Sequence, residues 1–301
     1  MDFELNHCML CPKKCGADRT KNIGFCGGGS TIRAAKAGLH LWEEPCLSGS
    51  NGAGAIFFSG CNLRCCYCQN IKISAKNFGT ELSIDKLSEI ILNLQKEGAN
   101  VIDLVTGSHY TPWIVESLKQ IKYKLKIPVV WNCSGYESPE ILEMLNGYID
   151  IYMPDFKYIK AETAKKYSDA EDYVEVTKKA IAEMIRQVGN PVFKNSILQK
   201  GVIIRHLILP SHRKESIELL YWLSENFSKD SFLISLMGQY TPPENKLSEK
   251  NLNRRLTTME YQSVLNVAQE LDFNGFSQEL SSAKKDYTPD FNLEGIKNSH
   301  C

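Results

Sequence analysis

The chain has 301 residues, 43% of them hydrophobic and 23% charged, which are ordinary globular proportions with room for one large core or two modest ones. Lys and Arg together number 35, as do Asp and Glu, so the formal charge is zero and the basic excess of a nucleic-acid binder is missing. The N-terminal MDFELNHCML has no basic start before an apolar stretch, and no run approaches the roughly 18 apolar residues of a membrane span. The expectation is a cytoplasmic protein with neither nucleic acid nor membrane as partner. In that reducing compartment clustered cysteines point to metal before disulfide. Cysteines number 11, and eight of them crowd into residues 8–26 and 61–68.

Residues 1–37 read as a small Cys-rich knuckle and 38–301 as a larger domain with a C-terminal extension. Within the knuckle, 1–30 show neither helical nor strand periodicity, and 47–54 (LSGSNGAG) read as a flexible link. Strands and helices then alternate. A buried strand is expected at 55–59 (AIFFS), followed by a helix capped by Ser83, carrying Ile84, Leu87, Ile91 and Leu94 on one face and stopped by Gly98. A second strand, 101–106 (VIDLVT), leads to a helix opening at Thr111 and Pro112. A third strand at 127–132 leads to a helix opening at Ser138 and Pro139 and closed by Gly147. The fourth strand, 150–153, precedes one long helical region over about 161–188, ended by Gly189. Strands at 202–209 and 232–237 alternate with helices at 213–226 and from Thr257 to about Leu271, and 275–280 (GFSQEL) reads as an edge strand. Six such βα units imply parallel strands. Six are too few for a closed eight-unit barrel, so an α/β fold with an open partial (β/α)6 barrel is expected, its chemistry at the carboxyl ends of the strands.

Directly after the first predicted strand, residues 59–70 read SGCNLRCCYCQN, placing Cys61, Cys65 and Cys68 in a C-x3-C-x2-C pattern. One short loop can wrap three thiolates around one face of a [4Fe–4S] cluster and leave the fourth iron open, where an electron carrier would close it with another cysteine. An open iron can chelate the amino and carboxylate groups of S-adenosylmethionine (SAM), and an electron from the reduced cluster then cleaves the S–C5′ bond to give a 5′-deoxyadenosyl radical. The alternative is a zinc knuckle completed by Cys66 or a distant residue, although zinc pairs usually arrive as two separated C-x2-C groups. Cys66 is expected as a buried neighbour. Cys8, Cys11, Cys15 and Cys26 form a second set, C-x2-C-x3-C-x10-C, in a segment with no core of its own, so metal is expected to supply its folding energy. A closed zinc site fits. So does a second [4Fe–4S] cluster, which would offer electrons a route, and spare thiols without metal remain the plain alternative.

The cysteine loop resembles the signature of the radical SAM superfamily. The wider chain resembles its pyruvate formate-lyase activating-enzyme-like group, in particular the PflX-type branch, through LHLWEEPCLSG (39–49), FFSGCNLRCCYCQN (57–70), DLVTGSHYTP (103–112), WNCSGYE (131–137), DIYMPDFKY (150–158), GVIIRHLILP (201–210) and SLMGQYTP (235–242). The resemblance implies that Tyr67 packs near the adenine. It puts Thr106, Gly107, Ser108 and His109 where the family's Gly-Gly-Glu-type motif meets the methionine amino group, although this chain has one glycine and no glutamate there. Asp155 and Lys157 resemble the family's Asp-x-Lys, whose lysine pairs with the SAM carboxylate, and Arg205 and Gln239 match further SAM contacts. Asn132 and Ser134 end the third strand, Asn132-Cys133 replacing the Asp-Thr pair that holds a monovalent cation in some activating enzymes.

Read from the residues alone, each of these has a plainer alternative. Asp155 and Lys157 can be an ordinary ion pair, and Arg205, alone in an apolar strand, can pair with a core acid. His109, the weak catalytic candidate, can be a local hydrogen-bond partner. His206 and Cys133 read as structural, Tyr240 accompanies Gln239, Glu43 and Glu44 can reach an active-site rim, and Cys301 is expected to be disordered. Three functions compete. A glycyl radical enzyme activase would take a backbone hydrogen from a partner protein, working anaerobically with a flavodoxin- or ferredoxin-type reductant. A radical SAM enzyme could instead act on a peptide or small metabolite. A non-enzymatic metal-binding scaffold is the third.

Overall fold

The computed structural model describes residues 4–278 and 289–297; Cys301 lies outside the described residues. Strand β1 (Ile32–His40) runs antiparallel to β2 (Ala53–Phe58), and β3 (Thr80–Leu82) is antiparallel to β1 on its other side. From β2 the sheet grows in the other direction by parallel pairing. The strands added are β4 (Ile102–Val105), β5 (Val129–Cys133), β6 (Ile151–Pro154) and, past a short arm β7 (Val192–Lys194), β8 (Ile197–Leu207), β9 (Leu233–Met237) and β10 (Gly275–Ser277). The path ends at β3 on one side and β10 on the other, so the parallel sheet is open, as the count of βα units predicts. The edge strand expected within 275–280 is β10, and residues 279 and 280 lie outside the described residues.

Two short helices, α1 (Pro45–Ser48) and α2 (Ile71–Ser74), precede the regular ones, α3 (Ile84–Lys96), α4 (Thr111–Ile121) and α5 (Pro139–Leu145). Two of the expected caps form, the Ser83 and Ser138 hydroxyls accepting from the amides of Lys86 and Ile141, whereas Thr111 is already the first residue of α4 and its hydroxyl donates back to the Ser108 carbonyl. The region expected as one long helix is two, α6 (Ala161–Ser168) and α7 (Tyr173–Val188), because Asp169 turns left-handed at φ 52°. Last come α8 (Arg213–Asn226) and α9 (Thr258–Glu270), the latter opened by a reciprocal capping box between Thr257 and Glu260.

Two further departures have physical causes. Strand β1, IRAAKAGLH, was not expected because alanine and glycine carry little strand preference; it forms because those small side chains pack flat against β2. Residues 47–54, expected as a flexible link, instead hold the end of α1 and the start of β2, with Leu47 and Ala53 fully buried. Cys46 and Leu47 join Val101, Val130, Ile151, Ile203 and Leu233 in one apolar layer inside the barrel. These strand residues sit near the amino ends of the strands, so α1 plugs the barrel at the end away from the catalytic loops. Leu47→Ala should lower unfolding stability by about 2–5 kcal/mol in a denaturant titration, and an unchanged midpoint would show that α1 does not plug the barrel.

Candidate active site

The loop after β2 is held by its backbone from two sides. On one side the Cys61 amide donates to the Cys26 carbonyl at 2.9 Å. On the other the Arg64 and Cys66 amides donate to the Ser168 and Tyr167 carbonyls, at 3.1 and 2.8 Å. The break between α6 and α7 therefore has a use, since it presents the last carbonyls of α6 to the loop. Three thiols of the loop line one cavity, those of Cys61, Cys65 and Cys68. Each has its own polar partner: the Leu63 amide donates to Cys61 Sγ at 3.4 Å, the Ser168 hydroxyl to Cys65 Sγ at 3.0 Å, and Cys68 Sγ lies 3.2 Å from Ser74 Oγ. Cys66 is half-buried and does not line the cavity. Burial pushes the Cys61 thiol up and the Cys65 thiol to about 11, with Lys157 opposing the rise at Cys65. Coordination to a cation is what would make such thiols thiolates.

The same cavity is lined by Tyr67, Thr106, Asn132, Ser134, Asp155, Lys157, Arg205 and Gln239, so the structure gathers most of the site residues expected from sequence. Asp155 is shared: Lys157 Nζ lies 2.5 Å from one carboxylate oxygen and Arg205 Nε 3.0 Å from the other. Burial would raise the Asp155 carboxyl, but these two cations more than offset it and hold it below its usual range. Arg205 also donates to Asn132 Oδ1 at 2.6 Å and lies 3.7 Å from Glu43. Tyr67 is buried, its hydroxyl 2.5 Å from that of Tyr158, its ring edge-on to Tyr240.

Gly107, Ser108 and His109 are placed elsewhere. A Cβ at Gly107 would come 2.8 Å from Ile114 and 2.9 Å from Trp131, so packing requires the glycine. The Ser108 hydroxyl donates to Glu137 at 2.5 Å. His109 is buried beneath the cysteine loop, with Nε2 2.8 Å from the Ser59 carbonyl, and burial lowers its pKa to about 3, so the imidazole is neutral and donates that proton. Its carbonyl accepts from Arg19 of the N-terminal segment at 2.8 Å.

Three acids were missed or underrated. Glu43 and Glu44, expected at a rim, line the cavity wall just ahead of α1, Glu44 buried and Glu43 only slightly exposed, and Asp103 of β4 is fully buried and accepts from Asn132 at 3.2 Å. Burial raises all three carboxyls. Asp103 carried the signal that marked Arg205, a single charge in an apolar strand. The N-terminal cysteines also gather, Cys8, Cys11 and Cys26 buried and Cys15 exposed.

A model of the radical SAM superfamily matches residues 55–209, which run from β2 through the Arg205 strand. The chain belongs to the radical SAM superfamily. With that membership go a [4Fe–4S] cluster and SAM. An uncharacterized protein of Methanocaldococcus jannaschii is 30% identical over 89% of this chain and 76% of its own length. The pyruvate formate-lyase-activating enzyme of Clostridium pasteurianum is 26% identical over 68% of this chain and 82% of its own. Together with the superfamily match, this likeness makes the chain pyruvate formate-lyase-activase-like. Among solved structures, SuiB of Streptococcus suis bound to S-adenosylmethionine aligns with 75% of the chain at a TM-score of 0.49 and 12% identity, and the chain spans 50% of SuiB's length. A domain of the pyruvate-formate lyase-activating enzyme from Bacteroides vulgatus aligns with 57% of this chain and 92% of its own, at a TM-score of 0.41 and 11% identity. Among the described residues no helix is long and apolar enough to cross a membrane.

Glu137, behind this radical SAM site, gives a pH test of the fold. Burial raises its carboxyl to about 8 despite the Ser108 hydrogen bond. A carboxyl raised on folding binds its proton more tightly in the native state, so its contribution is present at low pH. That contribution is lost as pH climbs from the ordinary glutamate range towards 8. Glu137→Gln, which keeps an acceptor for Ser108, should raise the melting temperature at pH 8.5 and leave it nearly unchanged at pH 5. Equal shifts at both would mean that Glu137 is not held protonated.

Proposed function

We propose that Cys61, Cys65 and Cys68 hold a [4Fe–4S] cluster, that SAM binds in the cavity they line, and that the substrate is a glycyl residue of a glycyl radical enzyme. The observation that carries the site is the sorting of the four loop cysteines: three line the cavity, with Leu63, Ser74 and Ser168 as their hydrogen-bond partners, and Cys66 does not line it. Similarity to the Clostridium pasteurianum activating enzyme supports the choice of substrate. When bound and reduced, the cluster would supply the electron that cleaves SAM to a 5′-deoxyadenosyl radical, which removes a hydrogen atom from the substrate.

The chain's own residues bind and orient. Lys157, with one donor engaged by Asp155, keeps others for the carboxylate of SAM, and Asp155 fixes the lysine's position. Arg205 reinforces that positive region while balancing Asp155 and Glu43. Tyr67 offers a ring wall, and Thr106, Ser134 and Gln239 offer short polar groups. Near-complete burial of the tyrosine network through Tyr158 and Ser168 excludes water beside Cys65. The Cys-rich knuckle binds zinc or a second cluster on this reading, and a flavodoxin- or ferredoxin-type carrier in an anaerobic cytoplasm supplies the electrons.

After anaerobic reconstitution, Cys61→Ala, Cys65→Ala and Cys68→Ala should each abolish SAM cleavage, while Cys66→Ala keeps most of it. A dead Cys66 variant beside an active Cys65 variant would overturn the ligand set. The two cations should separate. Lys157→Ala leaves Asp155 paired with Arg205, so SAM affinity should fall by about ten- to hundredfold with the cluster intact, read from the spectroscopic change on SAM titration. Arg205→Ala leaves Asp155 with Lys157 alone and removes the cation beside Glu43, and should cost about 1.5–3 kcal/mol of stability as well.

A further inference from the structure

The four N-terminal cysteines lie against the radical SAM loop, and the contact runs through two of the cysteines themselves. Cys26 offers its carbonyl to the amide of Cys61 at 2.9 Å, so a single hydrogen bond joins the backbone of the two residues. The fit at Gly60 is tight, since a Cβ there would run into the Cys26 carbonyl. Arg64 of the loop reinforces the contact, donating to the Phe25 carbonyl and stacking over the Phe25 ring at 4.3 Å. Nothing in the superfamily match, which begins at residue 55, covers this segment.

The thiols themselves are arranged for a metal group. The Gly28 amide donates to Cys26 Sγ at 3.4 Å, the same donor two residues on that Leu63 supplies to Cys61. A Cβ at Gly24 would sit 3.5 Å from both Cys15 Sγ and Cys26 Sγ, so the glycine leaves open the space between the two sulfurs. Arg19 brings a buried positive charge to the set, its guanidinium 4.0 Å from Cys8 Sγ. The Cys26–Cys61 hydrogen bond sets these four thiols directly beside the loop that would hold the SAM cluster, a place where a redox group has a use and zinc, which carries no electrons, has none.

We propose that Cys8, Cys11, Cys15 and Cys26 hold a second iron–sulfur cluster that relays electrons to the cluster at Cys61, Cys65 and Cys68 through the Cys26–Cys61 contact. Four thiolates close every iron of a cubane, so this cluster carries electrons and binds no SAM. Exposure sets the direction of flow: Cys15 is at the surface, while Cys8, Cys11 and Cys26 are buried. A one-electron protein reductant of the flavodoxin or ferredoxin class is oxidised by one electron at the exposed end. The same electron then reduces the inner cluster, and no bond or proton is exchanged. The relay rests on the cluster assignment of the preceding section; occupancy of the N-terminal site does not.

The triple variant Cys61→Ala/Cys65→Ala/Cys68→Ala, reconstituted anaerobically with iron, sulfide and zinc supplied together, should retain about four irons and four sulfides per chain and give the paramagnetic signal of a reduced cluster. Zinc in their place, or no metal, overturns the proposal. Should the triple variant fail to fold, Cys11→Ser/Cys15→Ser in the otherwise intact chain should lower the iron count from about eight to about four. In that same double variant, SAM cleavage driven by reduced flavodoxin should slow by roughly an order of magnitude, while cleavage driven by dithionite, which needs no docking, stays close to wild type. Equal losses with both reductants, or no loss with either, overturn the relay. If the wild-type protein fails to cleave SAM even with dithionite, the proposed function has failed, and the iron count of the triple variant still decides the N-terminal site.

Discussion

One half-buried carboxylate organises the cavity. Asp155 holds Lys157 on one oxygen and Arg205 on the other, and it can do so because β6 and β8 run side by side, with a bridge between residues 155 and 205 continuing their pairing. The Phe156 amide donates to the Arg205 carbonyl at 2.7 Å, which fixes that register, while the Phe156 ring points the other way into the core against Trp222. Two cations side by side in a cavity partly shielded from water would repel each other and lose hydration without this acid. With it they keep their charge, and each is aimed by a second contact. Arg205 reaches Asn132, and the Lys157 amide is held by the Tyr173 hydroxyl at 3.0 Å. Shifting β8 by one residue would turn Arg205 out of the barrel and leave Asp155 with a single partner.

The cysteine loop depends on contacts that are remote in sequence. Its amides are satisfied by carbonyls at residue 26 on one side and at residues 167 and 168 on the other. One flank is a coil and the other the last turn of α6. Such a loop is ordered by what surrounds it, and the surrounding pieces are ordered in turn by the barrel. The N-terminal segment is tied to the strand-end loops by Arg19, which donates to the carbonyls of Gly29 and His109, and by the Ser138 hydroxyl, which donates to the Leu10 carbonyl at 2.7 Å. His109, neutral and buried, sits where these lines meet, 2.8 Å from the Ser59 carbonyl just ahead of the cysteines.

The parallel strands and most helices were legible because their signals are local. Apolar runs of strand length, helix starts at Ser83, Ser138 and Thr257, and stopping glycines are properties of short windows. The cavity residues were legible for a related reason: in a parallel βα fold the strand ends converge, so residues following successive strands meet without any knowledge of distances. What stayed hidden was set by packing. β1 has too little intrinsic preference to be seen, and the break after Ser168 answers to carbonyls needed by a loop about a hundred residues away. The thiol partner Ser168 had no signature at all, being an ordinary serine in a polar helix. Glu43 and Glu44 looked like exposed acids because nothing in LWEEPC says that the next turn, α1, enters the barrel.

Those two glutamates change the electrostatic character of the cavity. Four carboxyls, those of Glu43, Glu44, Asp103 and Asp155, face two cations, Lys157 and Arg205. Asp155 is matched to both cations and stays ionised, whereas burial raises the other three. Glu43 and Asp103 repel each other when both are ionised, which favours a proton on one of them. The inner wall can therefore take up or give off charge, unlike a fixed ion pair. On the reading proposed above, this suits SAM, which brings one carboxylate together with an ammonium and a sulfonium and is positive overall. Lys157 and Arg205 answer its anion. Protonated acids that ionise as a cation approaches supply the opposing charge without holding a bare carboxylate on the sheltered inner wall beforehand, which would be costly there.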